Sequence, residues 1–173
     1  LRQYLILRYD RFFTWYTMNK LKELRKSKNL TQIEFVKIIN MSQNGYSQYE
    51  SETNDLPTDL LRKLSIFYNT SIDYILGITN IKENYSKSVI NNDKNFKVFN
   101  RLKKIREDRD LFQKDIASIL GMSQNGYSNY ETGICDIPTK ILKELAYYYD
   151  VSIDYLLYMT DERNCHKKIK KEI

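Results

Sequence analysis

Shifting the chain against itself by 81 positions aligns residues 20–80 with 101–161 without a gap. "MSQNGYSQYE" (Met41–Glu50) returns as "MSQNGYSNYE" (Met122–Glu131), differing only at Gln48 against Asn129. "KLKELRKSKNLTQ" is answered by "RLKKIREDRDLFQ", and "DLPTDLLRKLSIFYNTSIDYIL" by "DIPTKILKELAYYYDVSIDYLL". Such self-similarity marks a tandem duplication, and it must be recognised before any local reading. Each copy then has about 60 residues in which to bury a core, near the lower size that folds without staples.

The repeat divides the chain into two domains, 18–80 and 99–161, joined by a linker, 81–98, rich in Asn, Lys and Ser. Residues 162–173 form a basic tail. The opening 1–17, "LRQYLILRYDRFFTWYT", admits two readings. It is either translated upstream sequence that is not native, or an ordinary N-terminal helix with Trp15 and Met18 in step with Leu21 and Leu24. Arg8, Asp10 and Arg11 break its apolar character, so it fails as a signal peptide. Nor does any apolar run approach the roughly 18 residues of a membrane span. Cys135 and Cys165 show neither metal spacing nor a framework of pairs, which fits a reducing, cytoplasmic setting.

Five Gly and two Pro among 173 residues argue for an all-α chain. Each repeat reads as five short helices. The first carries Leu21 and Leu24 (Leu102 and Ile105) on one face, and stops near Asn29 (Asp110). The second opens on Thr31, with Glu34 three residues on completing a capping box, and is expected to bury Phe35, Ile38 and Ile39. In the second copy Phe112 takes the cap position and the cap is lost. Asn40 or Gly121, two residue types tolerant of positive φ, ends this helix. Ser42 or Ser123 then caps a third helix, which makes a helix-turn-helix. Thr58 and Thr139 are expected to cap the fourth helix, Ser71 and Ser152 the fifth.

On the third helix Tyr46 and Tyr49 share one stripe and turn inward. Gln43, Asn44, Ser47 and Gln48 cover the rest, as do Gln124, Asn125, Ser128 and Asn129. Amides donate and accept at once, which suits adenine N6 and N7 in the major groove. Gly45 is unexpected there, since glycine costs roughly 1 kcal/mol in a helix relative to alanine. A bare backbone would let the helix approach a phosphate or a base edge; alternatively, glycine only relieves crowding.

Both repeats resemble the phage-repressor/Cro, or XRE-type, helix-turn-helix family. The resemblance rests on "LKELRKSKNLTQIEFVKIINMSQNGYSQYES", on "LPTDLLRKLSIFYNTSIDYILG", and on the recurrence of both. It implies two tandem five-helix, lambda-repressor-like domains with the third helix of each in the major groove. By motif alignment it implies base contacts from Gln43, Asn44, Ser47 and Gln48, and from Gln124, Asn125, Ser128 and Asn129. Phosphate contacts are implied for Gln32 and Gln113, and for Ser42 and Ser123 with the helix N-termini they cap. The sequence departs from the family in the loop after this helix. "SETNDLP" and "TGICDIP" lack the basic residues usual there, and position 48, often arginine, is Gln.

The net charge of +6 points to nucleic acid, but the repeats themselves carry only +1 (18–80) and −2 (99–161). Nonspecific affinity comes largely from neutralised phosphates, so each repeat alone is expected to bind weakly. Joining them makes the second engagement intramolecular. Eighteen linker residues reach at most about 60 Å, beyond the roughly 34 Å between half-sites one turn apart. A single-chain pseudo-dimer reading two similar half-sites of double-stranded DNA, as a regulator and most simply a repressor, is therefore expected.

The rival expectation is an antitoxin-like or co-regulator protein whose second repeat binds a protein partner, with Tyr147, Tyr148, Tyr149, Tyr155 and Tyr158 near the contact. Homodimerisation is a further option. Single-stranded or RNA binding is disfavoured, because the aromatics are spaced as core rather than as a stacking platform. No catalytic set, metal cluster, cofactor motif or small-molecule site is evident, and the single histidine, His166, lies in the tail.

Overall fold

A computed structural model describes residues 18–82 and 100–163, and these contain ten helices and no strand. The opening 1–17, most of the linker and most of the basic tail lie outside the described residues. The first repeat holds α1 (Leu21–Ser27), α2 (Gln32–Ile39), α3 (Gln43–Glu50), α4 (Thr58–Tyr68) and α5 (Ile72–Ile75). The second holds α6 (Asn100–Glu107), α7 (Gln113–Ile119), α8 (Gln124–Glu131), α9 (Thr139–Tyr149) and α10 (Ile153–Leu156). No described helix is long and apolar enough to cross a membrane.

Local chemistry sets the helix ends. Asn29 and Asp110 both close the first helix of their repeat in the left-handed region, at φ 56° and 53°. The aspartate adopts that conformation as well as the asparagine does. Asn40 (φ 53°) and Gly121 (φ 65°) make the same bend after α2 and α7. Thr31 Oγ1 accepts from Glu34 N–H at 3.2 Å while Glu34 Oε2 accepts from Thr31 N–H at 2.8 Å, a complete capping box. Before α7 only half survives: Asp115 accepts from Phe112 N–H at 2.8 Å, and the phenyl ring offers nothing in return.

Two expectations are corrected. Ile38 is 53% exposed, and Val36 joins Phe35 in the core instead. At 100° per residue the buried direction falls between Phe35 and Val36, which leaves Ile39 at its edge and turns Ile38 outward. Thr58 and Thr139 are not caps: Pro57 and Pro138 hold the N-cap positions, with no side-chain cap bond. Proline's fixed φ lets the chain enter the helix directly, which makes each threonine its first residue.

The described chain forms two compact units, 18–54 with 73–82 and 55–72 with 100–163. The core of the first includes Leu21, Leu24, Phe35, Val36 and Tyr46, with the Phe35 and Tyr46 rings 4.8 Å apart. In the second, buried residues of α4 and α6–α10 include Leu61, Leu64, Leu102, Ile116, Tyr127, Leu145 and Leu156. Two carboxylates tie α4 and the start of α5 into this unit. Asp136 accepts from Thr58 N–H at 3.0 Å and from its hydroxyl at 2.5 Å. Asp154, fully buried, accepts from Ile72 N–H at 2.8 Å. Both acids neutralise orphan amides at helix N-termini, where a negative charge is favoured. Most of the late tyrosines serve packing here. Tyr149 and Tyr155 are buried, Arg101 lies over the Tyr155 and Tyr158 rings at 4.4 and 4.2 Å, and only Tyr147 is largely exposed.

The uneven caps generate a paired prediction. Thr31→Ala lowers stability by about 1 kcal/mol, and Phe112→Thr raises it by a similar amount by restoring the missing acceptor. Urea denaturation of the full chain measures both, and a destabilised Phe112→Thr variant contradicts the cap assignment.

Candidate nucleic-acid interface

The bends at Asn40 and Gly121 and the serine caps deliver α3 and α8 in the same way. Ser42 Oγ accepts from Gly45 N–H at 3.2 Å, and Ser123 Oγ from Gly126 N–H at 3.1 Å. Tyr46 and Tyr127 are fully buried and anchor the helices, whereas Tyr49 and Tyr130 are half-buried. The opposite faces carry exposed Gln43, Asn44, Gln124 and Asn125, followed by half-buried Ser47, Gln48, Ser128 and Asn129. Each sequence-selected set therefore lies along one surface of one helix, beside its exposed capping serine.

A Cβ on Gly45 would sit 3.0 Å from Ser42 Oγ, and one on Gly126 would sit 3.0 Å from Met122 Cε and 3.2 Å from Ser123 Oγ. Crowding at the cap thus accounts for glycine without any ligand.

Beneath each amide-bearing face lies an ion pair that the sequence pattern alone did not single out. Arg25 Nε and Nη2 grip Glu50 at 2.6 and 3.2 Å, and Arg25 Nη1 donates to Leu30 O at 2.6 Å. Arg106 repeats this on Glu131 at 2.6 and 3.1 Å, with Leu111 O at 2.8 Å. Gln32 and Gln113 each complete the cluster, donating from Nε2 to the glutamate at 2.9 Å. The four ionic side chains are at most 9% exposed. One cluster therefore clamps three elements: the first helix of the repeat, the start of the second, and the last turn of the third. The available signal was their recurrence, since Arg25, Gln32 and Glu50 all return 81 positions on while nearby surface residues such as Lys26 and Glu107 differ.

Burial pushes the Glu50 and Glu131 carboxyls up. The arginine and glutamine hydrogen bonds together with the arginine charge outweigh it, so both rest below the usual carboxylate range. The glutamate hydrogen bond is the main force raising Arg25 and Arg106 in turn. Gln32 and Gln113, selected for phosphate contact, spend one amide hydrogen on the glutamate. In Gln113 the same nitrogen also reaches Ser128 Oγ at 3.5 Å, and in both repeats the clamp fixes the direction in which the amide points.

Among the described residues, no group of three or more His, Cys, Asp or Glu side chains is placed to hold a metal ion. Cys135 is an exposed free thiol.

The helix-turn-helix family profile (HTH_3) matches the chain twice, at residues 21–75 and 102–156. The HTH-type transcriptional regulator ImmR of Bacillus subtilis is 36% identical over 96 residues, covering 56% of this chain and 73% of that protein. The cryptic phage CTXphi transcriptional repressor RstR of Vibrio cholerae is 32% identical over 73 residues, covering 42% and 65%. Antitoxin PezA of Streptococcus pneumoniae is 39% identical over 57 residues, covering 33% and 36%. Apart from ImmR, the chain spans between about a third and two thirds of the curated relatives it matches. No solved structure gives a significant match.

The depressed glutamates give a pH-dependent prediction. A carboxylate whose folded pKa lies below its unfolded value of about 4.3 contributes stability that is full above that value. The contribution is lost as pH falls through the folded pKa. Glu50→Gln and Glu131→Gln should each cost about 2 kcal/mol at pH 7, the scale of a hydrogen bond to a charged group. The gap to wild type should begin to close below the unfolded value and vanish as pH falls through the lower folded pKa, where the native carboxyls also become neutral. Urea midpoints across pH 3–7 read this out, and a gap that stays constant with pH contradicts the pairing.

Proposed function

We propose, from the premise that the chain belongs to the helix-turn-helix (HTH_3, XRE-type) family, that it is a sequence-specific regulator binding double-stranded DNA. Its two domains, 18–80 and 99–161, read two similar half-sites through α3 and α8. The observation that carries the reading is the pair of exposed amide rows, each mounted on the same buried Arg–Glu–Gln clamp. A helix needed only for packing requires Tyr46 or Tyr127 and the cap; it does not require Gln43, Asn44 and Ser47 to return as Gln124, Asn125 and Ser128.

The proposed division of labour follows side-chain chemistry. Gln43, Asn44, Ser47 and Gln48 face base edges, as do their partners Gln124, Asn125, Ser128 and Asn129, because amides and hydroxyls match the donor and acceptor pattern of the major groove. Gln32 offers its remaining amide hydrogen to phosphate, and Gln113 does so by giving up its long 3.5 Å contact with Ser128 Oγ. Ser42 and Ser123 expose the first-turn N–H groups of α3 and α8 to a second phosphate. The positive charge of the chain resides mainly outside the repeats and supplies affinity without sequence preference. Repression by operator occlusion, inside the cytoplasm and without catalysis, is the simplest consequence. ImmR and RstR, whose names describe a transcriptional regulator and a transcriptional repressor, support that direction.

A second reading has one specific observation behind it. Phe112 and Ile134 are 67% and 74% exposed in the second repeat, where the first repeat carries Thr31 and Thr53. Apolar side chains at those two positions favour a protein partner for that repeat, a role to which the likeness to an antitoxin lends some support.

Binding selection from random duplex DNA at low salt separates the two. Wild type should enrich two related half-sites at fixed spacing. Asn44→Ala and Asn125→Ala should each lose one half-site preference, and the double change should lose both, each bidentate contact carrying about 1–3 kcal/mol of discrimination. Absence of any enriched motif with wild type overturns the DNA reading.

A further inference from the structure

The loop that follows the reading helix has the same backbone in both repeats and different side chains. Gln48 O accepts from Thr53 N–H at 3.0 Å and Asn54 N–H at 3.3 Å; Asn129 O accepts from Ile134 N–H at 2.9 Å and Cys135 N–H at 3.2 Å. The turn residue is left-handed in each, Glu52 at φ 57° and Gly133 at φ 69°. On this shared frame the residue six positions after the reading amide is Asn54 in one copy and Cys135 in the other. Asn54 Nδ2 donates to Gln48 Oε1 at 2.5 Å. Among the described residues the Asn129 amide makes no side-chain hydrogen bond, and the thiol beside it is exposed. The single difference inside the decapeptide is therefore accompanied by a difference in what holds that residue.

The geometry points to Asn54 as a positioning residue that fixes which base Gln48 reads, and this inference rests on the DNA-binding reading above. With its oxygen turned back onto Asn54, Gln48 presents its NH2 group outward. Two hydrogens on one nitrogen match a base edge that offers acceptors only, and guanine O6 and N7 together are that edge in the major groove. Asn129 keeps both oxygen and nitrogen available, and a free amide matches the N6 donor and N7 acceptor of adenine. The two half-sites thus differ at one equivalent position, guanine under the first repeat and adenine under the second. A chain with two nearly identical reading helices then binds an asymmetric operator in one orientation only.

The test is duplex selection with the full chain as wild type, as Asn54→Ala, and as Cys135→Asn combined with Asn129→Gln. Wild type should show two halves that agree except at one base pair. Asn54→Ala should lower the guanine preference at that pair about tenfold and leave the other half unchanged, the scale expected for one bidentate contact. The second-repeat double change should convert the adenine to guanine and make the operator symmetric. A wild-type motif whose halves are identical overturns the inference. So does an Asn54→Ala profile that keeps every base preference while overall affinity falls, because that marks a merely structural asparagine. No motif for wild type removes the DNA reading itself, and the inference with it.

Discussion

The buried bidentate pair between Arg25 and Glu50, repeated by Arg106 and Glu131, is the constraint on which the rest of each proposed reading surface depends. An eight-residue helix such as α3 is far too short to be stable alone. With a glycine in its first turn, it is poorer still in helix propensity. What holds it at a fixed angle is one buried tyrosine on its inner face and one glutamate at its last turn. The desolvation cost of burying four charges is offset only because each glutamate collects an arginine fork and a glutamine amide, while each arginine also finds a backbone carbonyl. Removing either ion would strand its partner away from water. The clamp therefore secures the orientation of the amide row more than it adds net stability.

That architecture explains which features the two copies share and where they differ. The clamp residues, the serine caps, the buried tyrosines and the outward amides all recur, and each fixes either the pose or the surface chemistry of the third helix of its repeat. Differences collect around that surface, at Thr31 against Phe112, Thr53 against Ile134 and Asn54 against Cys135. All three leave the backbone bonding of the loops nearly unchanged. The second repeat thus carries the same amide row, flanked by Phe112, Ile134 and Cys135 where the first carries Thr31, Thr53 and Asn54.

Much of this was legible in the amino-acid sequence, for identifiable reasons. The 81-residue repeat, the capping box at Thr31 and the serine caps are local patterns, and local patterns depend on few residues. The left-handed bends at Asn40 and Gly121 are legible on the same grounds. The amide row was visible because the turn signals set the phase of the helix. What escaped notice depended on tertiary geometry. Ile38 looked like core because an eight-residue segment holds barely two turns, too few to fix which of several adjacent apolar residues faces inward. Thr58 looked like a cap because cap and first-turn positions differ by one residue, and the proline before it takes the cap position instead. The clamp itself joins residues 25 apart whose charges look like ordinary surface charge until burial is known.

The central claim is that one chain carries two independently clamped readers and engages both on a single duplex. The direct measurement is the mass of the complex with a selected operator, combined with hydroxyl-radical protection of both strands. One chain per duplex, with two protected stretches that are lost separately on Asn44→Ala and Asn125→Ala, is the predicted result. Two chains per duplex, or a single protected stretch insensitive to Asn125→Ala, would contradict it.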